Sequence, residues 1–170
     1  MQTPSIHFRV QPIPAEIAAQ VRQTLRSPQY GHPAHVSIAG PNGYGPCRAC
    51  LRTFRPGEQR ILFTYEPFAG TDADPLPGPV FIHQEPCSFE SGDALQPDEF
   101  PAELRPLPLL LEAYGAQRRQ LERQRLNDET AEAVIGRLLA DEDVRYLHIR
   151  NFEAGCFIAA IERATTQNPT

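Results

Sequence analysis

Hydrophobic residues along this chain recur with two periods, two and about 3.6, and the changes from one to the other outline its elements. Ile6-His7-Phe8-Arg9-Val10 alternates apolar and polar positions, which predicts a half-buried strand ended by Pro12 and Pro14. From Pro14, the positions Ile17, Ala18, Val21 and Leu25 fall at helical spacing, so a helix is predicted to about Arg26, with proline tolerated in its first turn. Arg60 to Tyr65 alternates again, placing Ile61, Phe63 and Tyr65 on one face, and Val80-Phe81-Ile82-His83 is a short apolar run of the kind that forms a buried strand. Leu107 to Tyr114, with three leucines in succession between proline and glycine, reads as a further strand. Gln117 to Leu126 fits a strand or a solvated helix equally. Ala131, Val134, Ile135, Leu138 and Leu139 then make an amphipathic helix, with Asn127-Asp128-Glu129 supplying caps and first-turn acids. The C-terminal part predicts a hairpin: Val144 to Arg150 alternates strictly, Phe152 to Gly155 turns, and Cys156 to Ile161 returns.

Between these segments lie long stretches rich in proline and glycine. Ser27 to Pro46 reads as an irregular loop with a strong turn signal at Asn42-Gly43, in which His32 and His35 are expected at the surface and Tyr44 is expected to pack. Phe68 to Pro79 reads as loop, and Ser88 to Pro106 as an exposed excursion. Residues after Arg163 are expected to fray. No internal repeat or domain boundary is visible, so the expectation is one domain over residues 1–170.

Composition narrows the function classes. A hydrophobic fraction of 41% with 22% charged residues is that of a globular protein. No apolar run is long enough for a membrane span and the N-terminus lacks a secretory pattern, so a cytoplasmic location without membrane attachment is expected. All 16 basic residues are arginine. The absence of lysine excludes a Schiff-base lysine and a Walker phosphate loop. Net charge is -5, and no basic residue interrupts the acids between Arg60 and Arg105, which argues against nucleic acid as a partner. Arg118, Arg119, Arg123 and Arg125 cluster, but acids surround them and a solvated face is expected.

The candidate chemistry gathers on four cysteines and a histidine. Cys47-Arg48-Ala49-Cys50 puts two thiols one turn apart, and His83 with Cys87 could complete a tetrahedral zinc site, zinc being the cofactor such a donor set implies. Arg48 would offset part of the negative charge that three thiolates leave around a dication. Leu51 stands against it, because zinc knuckles usually follow the second cysteine with a small residue. Two other readings stay open: small buried hydrophobes, and a redox pair Cys47-Cys50. A Cys156-His148 nucleophile pairing is a weaker fourth. His148 and Arg150 project to one face of their strand, where an imidazole and a guanidinium either bind a small anionic ligand or stand on a solvated sheet face.

Three ordered motifs, Pro46-Cys47-Arg48-Ala49-Cys50-Leu51, Gly78-Pro79-Val80-Phe81-Ile82-His83 with Pro86-Cys87, and His148-Ile149-Arg150-Asn151 with Gly155-Cys156-Phe157, together resemble one family over nearly the whole chain. It is the uncharacterised bacterial domain-of-unknown-function family numbered twelve hundred and three. The matching positions are Cys47, Arg48, Cys50, Leu51, His83, Cys87, Arg150 and Cys156. The resemblance implies a compact α+β protein with no established activity, and it implies a hairpin after Tyr114. The expectation is therefore an α+β domain with a mostly antiparallel sheet, two helices packed on it and long Pro/Gly-rich loops. A non-enzymatic binding or accessory role leads, with Cys47, Cys50, His83 and Cys87 as metal ligands and Arg48, His148, Arg150 and Cys156 as ligand-binding candidates. An enzyme acting on a small anionic substrate, and a thiol-disulfide protein, are the alternatives.

Overall fold

The structure is a computed structural model that describes residues 5–87, 95–127 and 129–165. Its elements run β1 (Phe8–Gln11), α1 (Ala15–Thr24), β2 (His35–Ile38), β3 (Gln59–Tyr65), β4 (Gly78–His83), β5 (Leu109–Tyr114), β6 (Gln120–Arg125), α2 (Ala131–Leu139), β7 (Tyr146–Asn151) and β8 (Phe157–Arg163). This is the expected α+β class, mostly antiparallel sheet. The strands divide into a five-stranded sheet, ordered β1-β8-β7-β5-β6, and a three-stranded sheet, ordered β2-β3-β4.

Each sheet carries its own helix. The five-stranded sheet turns Leu109, Leu111, Ala113, Leu147, Ile149 and Ile161 toward α2, whose Val134, Ile135, Leu138 and Leu139 are buried against them. Every such side chain withdrawn from water contributes about 1.5–3 kcal/mol, and that apolar stripe explains why this short helix is stable. The smaller core joins Ile61, Phe63, Val80 and Ile82 to Ala18 and Val21 of α1, and Cys47, Cys50 and Phe54 pack among them. The two cores exchange side chains: Leu51 of the cysteine loop is buried in the larger one, and Phe157 of β8 in the smaller.

A register shift between Ile149 and Arg150 lets β8 make that exchange. Ile149 pairs with Ala159 and Arg150 with Phe157, so Ile158 is the extra residue of a bulge and joins the large core while Phe157 faces the opposite side.

Several expectations are corrected. The stretch from Ser27 to Pro46 is not wholly irregular, because His35–Ile38 pairs with β3 as an edge strand. It escapes a pattern reading because its two apolar residues, Val36 and Ile38, are exposed. Tyr44 does not pack; it is 60% exposed. Leu25 is the left-handed C-cap of α1 rather than part of its buried stripe. Residues 88–94 of the expected excursion lie outside the described residues; most of its remainder is exposed as expected, but it is anchored by Leu95, Phe100 and Leu104, which are buried in the large core. There the Asp98 amide donates to the Phe8 carbonyl, and the Phe8 amide to Asp98 Oδ1 at 3.0 Å, so the free edge of β1 is covered. The expected cap at Asp128 falls outside the described residues, and Thr130 occupies the N-cap position. Of the tail, Ala164 still bonds His7, and residues 166–170 lie outside the described set. Gln120–Arg125 is a strand paired with β5, as the hairpin reading has it.

Candidate metal centre

The cysteine loop is a closed knuckle. Its base is the isolated pairing of Pro46 with Thr53, the Cys47 amide donates to the Arg52 carbonyl at 2.8 Å, and the Leu51 amide to the Cys47 carbonyl at 2.7 Å. Closing that turn requires a left-handed residue after the second cysteine. Leu51 supplies it at φ +59. Left-handed backbone costs an L-residue roughly 1–2 kcal/mol, while full burial of a leucine returns about 1.5–3 kcal/mol, and Leu51 is 1% exposed. The sequence objection to a knuckle is thereby answered: a leucine stands where glycine is usual because its side chain belongs to the larger core.

Upstream, Gly43 at φ +63 lets the chain pass close to Phe54, whose carbonyl oxygen would lie 2.2 Å from an added Cβ. The loop is then fixed to its surroundings by the Arg48 amide on the Phe81 carbonyl, 2.9 Å, and by the Ile13 amide on the Arg48 carbonyl, 3.1 Å. The first of these sets the height of the cysteines on β4 two residues before its end. His83 stands at that end, and its own amide donates to Cys47 Sγ at 3.2 Å.

Folding thus brings together Cys47, Cys50, His83 and Cys87, whose ligand atoms all lie within 4.8 Å of one another. Cys47 Sγ is 3.9 Å from Cys87 Sγ, and Cys50 Sγ is 3.5 Å from His83 Nδ1. A tetrahedron with zinc–sulfur bonds of about 2.3 Å and zinc–nitrogen bonds of about 2.0–2.1 Å has S···S edges of roughly 3.8 Å and S···N edges of roughly 3.5 Å. The donor set fits, and so do the Cys47–Cys87 and Cys50–His83 separations. All four cysteines are free thiols.

Around the donors lies a partner shell that sequence reading did not find. Glu58, at the head of β3, holds His83 Nε2 by a short hydrogen bond, which leaves Nδ1 facing the sulfurs. A carboxylate behind a ligating imidazole fixes the ring and raises its basicity. The Phe54 ring, centred 4.6 Å from that of His83, covers one side. Two guanidiniums stand at the thiols: Arg22 donates to the His83 carbonyl at 2.9 Å and reaches Cys87 Sγ at 3.5 Å, and Arg52 is hydrogen-bonded to Cys50, an interaction that raises its own pKa. Strand register is the signal that could have found Glu58, since Arg60 pairs with His83 and so puts Glu58 on the same face as its diagonal neighbour.

Charge compensation falls to Arg22 and Arg52 at close range. Arg48 serves differently. Its guanidinium is 5% exposed and donates to the Phe157 carbonyl at 2.8 Å and the Pro46 carbonyl at 2.7 Å, tying the knuckle to β8. Burial lowers its pKa to about 10, with Cys156 and Cys47 opposing the shift. Within the cluster the thiols share protons unequally: hydrogen bonds with Cys47 and Cys87 hold Cys50 far below the usual thiol range, and those with Cys47 and Cys50 push Cys87 up. Burial works to lower His83, but bonds to the Cys47 and Cys50 sulfurs outweigh it and raise it to about 10.

The other candidate residues lie elsewhere. His148 and Arg150 are 2% and 8% exposed, so the face they share on β7 is interior rather than solvated. His148 sits among Phe68, Tyr114, Tyr146 and Phe157, with ring centroids 4.8 to 5.2 Å away, and burial followed by the Arg150 charge lowers its pKa to about 3. Arg150 pairs with Glu112 Oε1 at 2.6 Å. Cys156 is half-buried and lines a cleft with Arg150. His32 and His35 are exposed as expected.

The family pattern described as "Protein of unknown function (DUF1203)" matches residues 44–163. The chain belongs to this family. All three motifs fall within the matched span, and with them Cys47, Cys50, His83 and Cys87. No curated protein and no solved structure matches the chain. Among the described residues no helix is long and apolar enough to cross a membrane.

Proposed function

We propose that this member of the family is a zinc-stabilised, non-enzymatic binding domain, in which Cys47, Cys50, His83 and Cys87 hold a structural ion. The observation that carries the reading is the approach of four soft or borderline donors to within 4.8 Å, with the Cys47–Cys87 and Cys50–His83 separations at the edge lengths of a zinc tetrahedron. Three sulfurs and one nitrogen select zinc over the hard cations, which take oxygen. Four protein ligands complete its coordination and leave no open position for a substrate or water, which is the mark of a structural site. When bound, zinc supplies a cross-link between the knuckle and the end of β4. Cys47 and Cys50 are both 0% exposed, and neither stands at a helix N-terminus, so a thiol-disulfide role finds little support. A reducing, cytoplasmic setting suits three thiolates kept for a metal.

Elemental analysis of protein purified without a histidine tag tests the assignment. One equivalent of zinc in the native chain, and its loss in Cys47→Ala, are expected. Metal-free native protein that folds and melts normally would end it.

A further inference from the structure

Arg150 is more fully buried than any other arginine candidate except Arg48, yet its hydrogen-bonding capacity is only partly used. Nε pairs with Glu112 and Nη1 donates to the Gly155 carbonyl at 3.1 Å, but Nη2 is buried with no partner. A guanidinium presents five donors, and leaving a nitrogen of a buried one idle is unfavourable unless something else meets it. Two clefts adjoin at this residue. One, of about 460 Å³, includes Arg118, Gln120 and Arg123 with Arg150, and Glu112 is its one lining carboxylate. The other, of about 250 Å³, is bounded by Tyr65, Pro67, Pro77, Pro79 and Phe157, with Cys156 at its edge. Leu76, Arg150 and Gly155 line both.

The electrostatics of the first cleft run against those of the chain. The protein carries a net charge of -5, but here three arginines line a cleft that holds a single carboxylate. That carboxylate is already engaged by Arg150, Arg123 and Gln120. Arg118 is held in place by the carbonyls of Asp74 and Pro75, at 3.0 and 3.4 Å, and so is fixed without a countercharge at those contacts. The second cleft offers flat rings and prolines to an apolar body.

We propose that this junction binds a small oxyanion, a carboxylate or phosphoryl group, carried on a flat apolar body, with Arg150 as the anchor. The acid group takes the free Nη2 of Arg150 with Arg118 and Arg123 at its flanks, and the body lies between the prolines and Tyr65. Clefts of this size hold a ligand of about one ring plus its acid group. The site is separate from the cysteine cluster and its occupancy does not require the metal.

Calorimetric titration of the intact, metal-replete chain with benzoate, phenyl phosphate and the neutral benzyl alcohol tests it, and the first two separate the carboxylate from the phosphoryl source. Saturable binding of at least one acid, tighter than about 10 mM and at least about tenfold tighter than the alcohol, is expected. Leu76→Glu, an exposed loop substitution that puts a like charge between the clefts, should abolish binding without affecting folding. Arg123→Gln, on a side chain 59% exposed, should weaken it about threefold. Because Arg150 is half of a buried pair, it is removed together with its partner in Glu112→Leu/Arg150→Met, which leaves no orphaned charge; this double variant should bind neither acid. Failure of both acids to bind the native chain, equal binding of the alcohol, or binding unchanged in Leu76→Glu would overturn the proposal.

Discussion

The two halves of this molecule solve the same packing problem with different materials. The five-stranded half buries Leu109, Leu111, Leu147, Ile149 and Ile161 of its sheet beneath Val134, Ile135, Leu138 and Leu139 of α2, large aliphatics on both sides of the interface. The three-stranded half sets Ala18 and Val21 of its helix, with half-buried Ile17, against Ile61, Phe63, Val80 and Ile82, and completes its core with Ile13, aromatic rings and two cysteines. Both halves bury apolar area, and in the smaller one the proposed ion would join the cysteines of the core as well. The proposed cross-link thus falls in the half with fewer large aliphatics, as staples do in small domains.

Chelation, or Cys50→Ala, is the most forceful way to break this contrast. Metal-binding free energy is folding free energy for the part it closes, so a loss of several kcal/mol is expected, confined to the smaller half. Hydrogen exchange should rise through β2, β3, β4 and the knuckle while β5, β7 and β8 keep their protection. Uniform loss across both sheets would mean that the halves unfold together and that the contrast has no thermodynamic content. The converse perturbation is Leu147→Ala at the centre of the large core, where about 2–5 kcal/mol should be lost with one equivalent of metal retained.

A third test reads the polar interior of the larger sheet. His148 is neutral in the native state down to about pH 3, while in the unfolded chain it protonates near 6.5. Between those values the unfolded state binds more protons, so the stability contributed by the neutral ring is complete above pH 6.5 and is lost as pH falls toward 3. Arg150, Glu112, Tyr114, Tyr146, Phe68 and Phe157 are the groups that face it. His148→Phe, which suits that aromatic setting, should flatten the acid limb by on the order of a few kcal/mol at pH 4. An unaltered limb in denaturant titrations across that range would show that the ring reaches water.

Glu58→Gln sharpens the account of the metal shell. Replacing the carboxylate behind His83 should weaken metal affinity about 10–100-fold, which competition with a chromophoric chelator measures, and should leave the large core untouched.

How much of this was readable from the residues follows the same division. The large half was legible because its strands and α2 alternate or recur with full-sized apolar residues: Val144 to Arg150 and Ala131 to Leu139 carry strong periods, and both elements appear where those periods put them. The four donors were legible because a Cys-x-x-Cys turn and a His-x-x-x-Cys strand end are each local. What surrounds them was not. Glu58, Arg22 and Arg52 reach the site through strand register and helix placement, which no single-segment pattern encodes. Strand β2 was hidden by its exposed apolar residues, and Leu95, Phe100 and Leu104 by the prolines and acids between them. Leu51 was misleading for a physical reason: its backbone serves one half and its side chain the other.

That double duty can be separated experimentally. Leu51→Ala removes the side chain from the large core but keeps the left-handed strain at φ +59, whereas Leu51→Gly removes both. Each should lose about 2–5 kcal/mol by deleting a fully buried leucine, while retaining metal. The difference between them isolates the backbone: glycine, which adopts this conformation without penalty, should be the more stable by about 1 kcal/mol despite its more flexible unfolded chain. Alanine equal to or better than glycine in urea unfolding would mean that the loop relaxes once the leucine is gone, and that the knuckle owes its shape to the larger core rather than to its own turn.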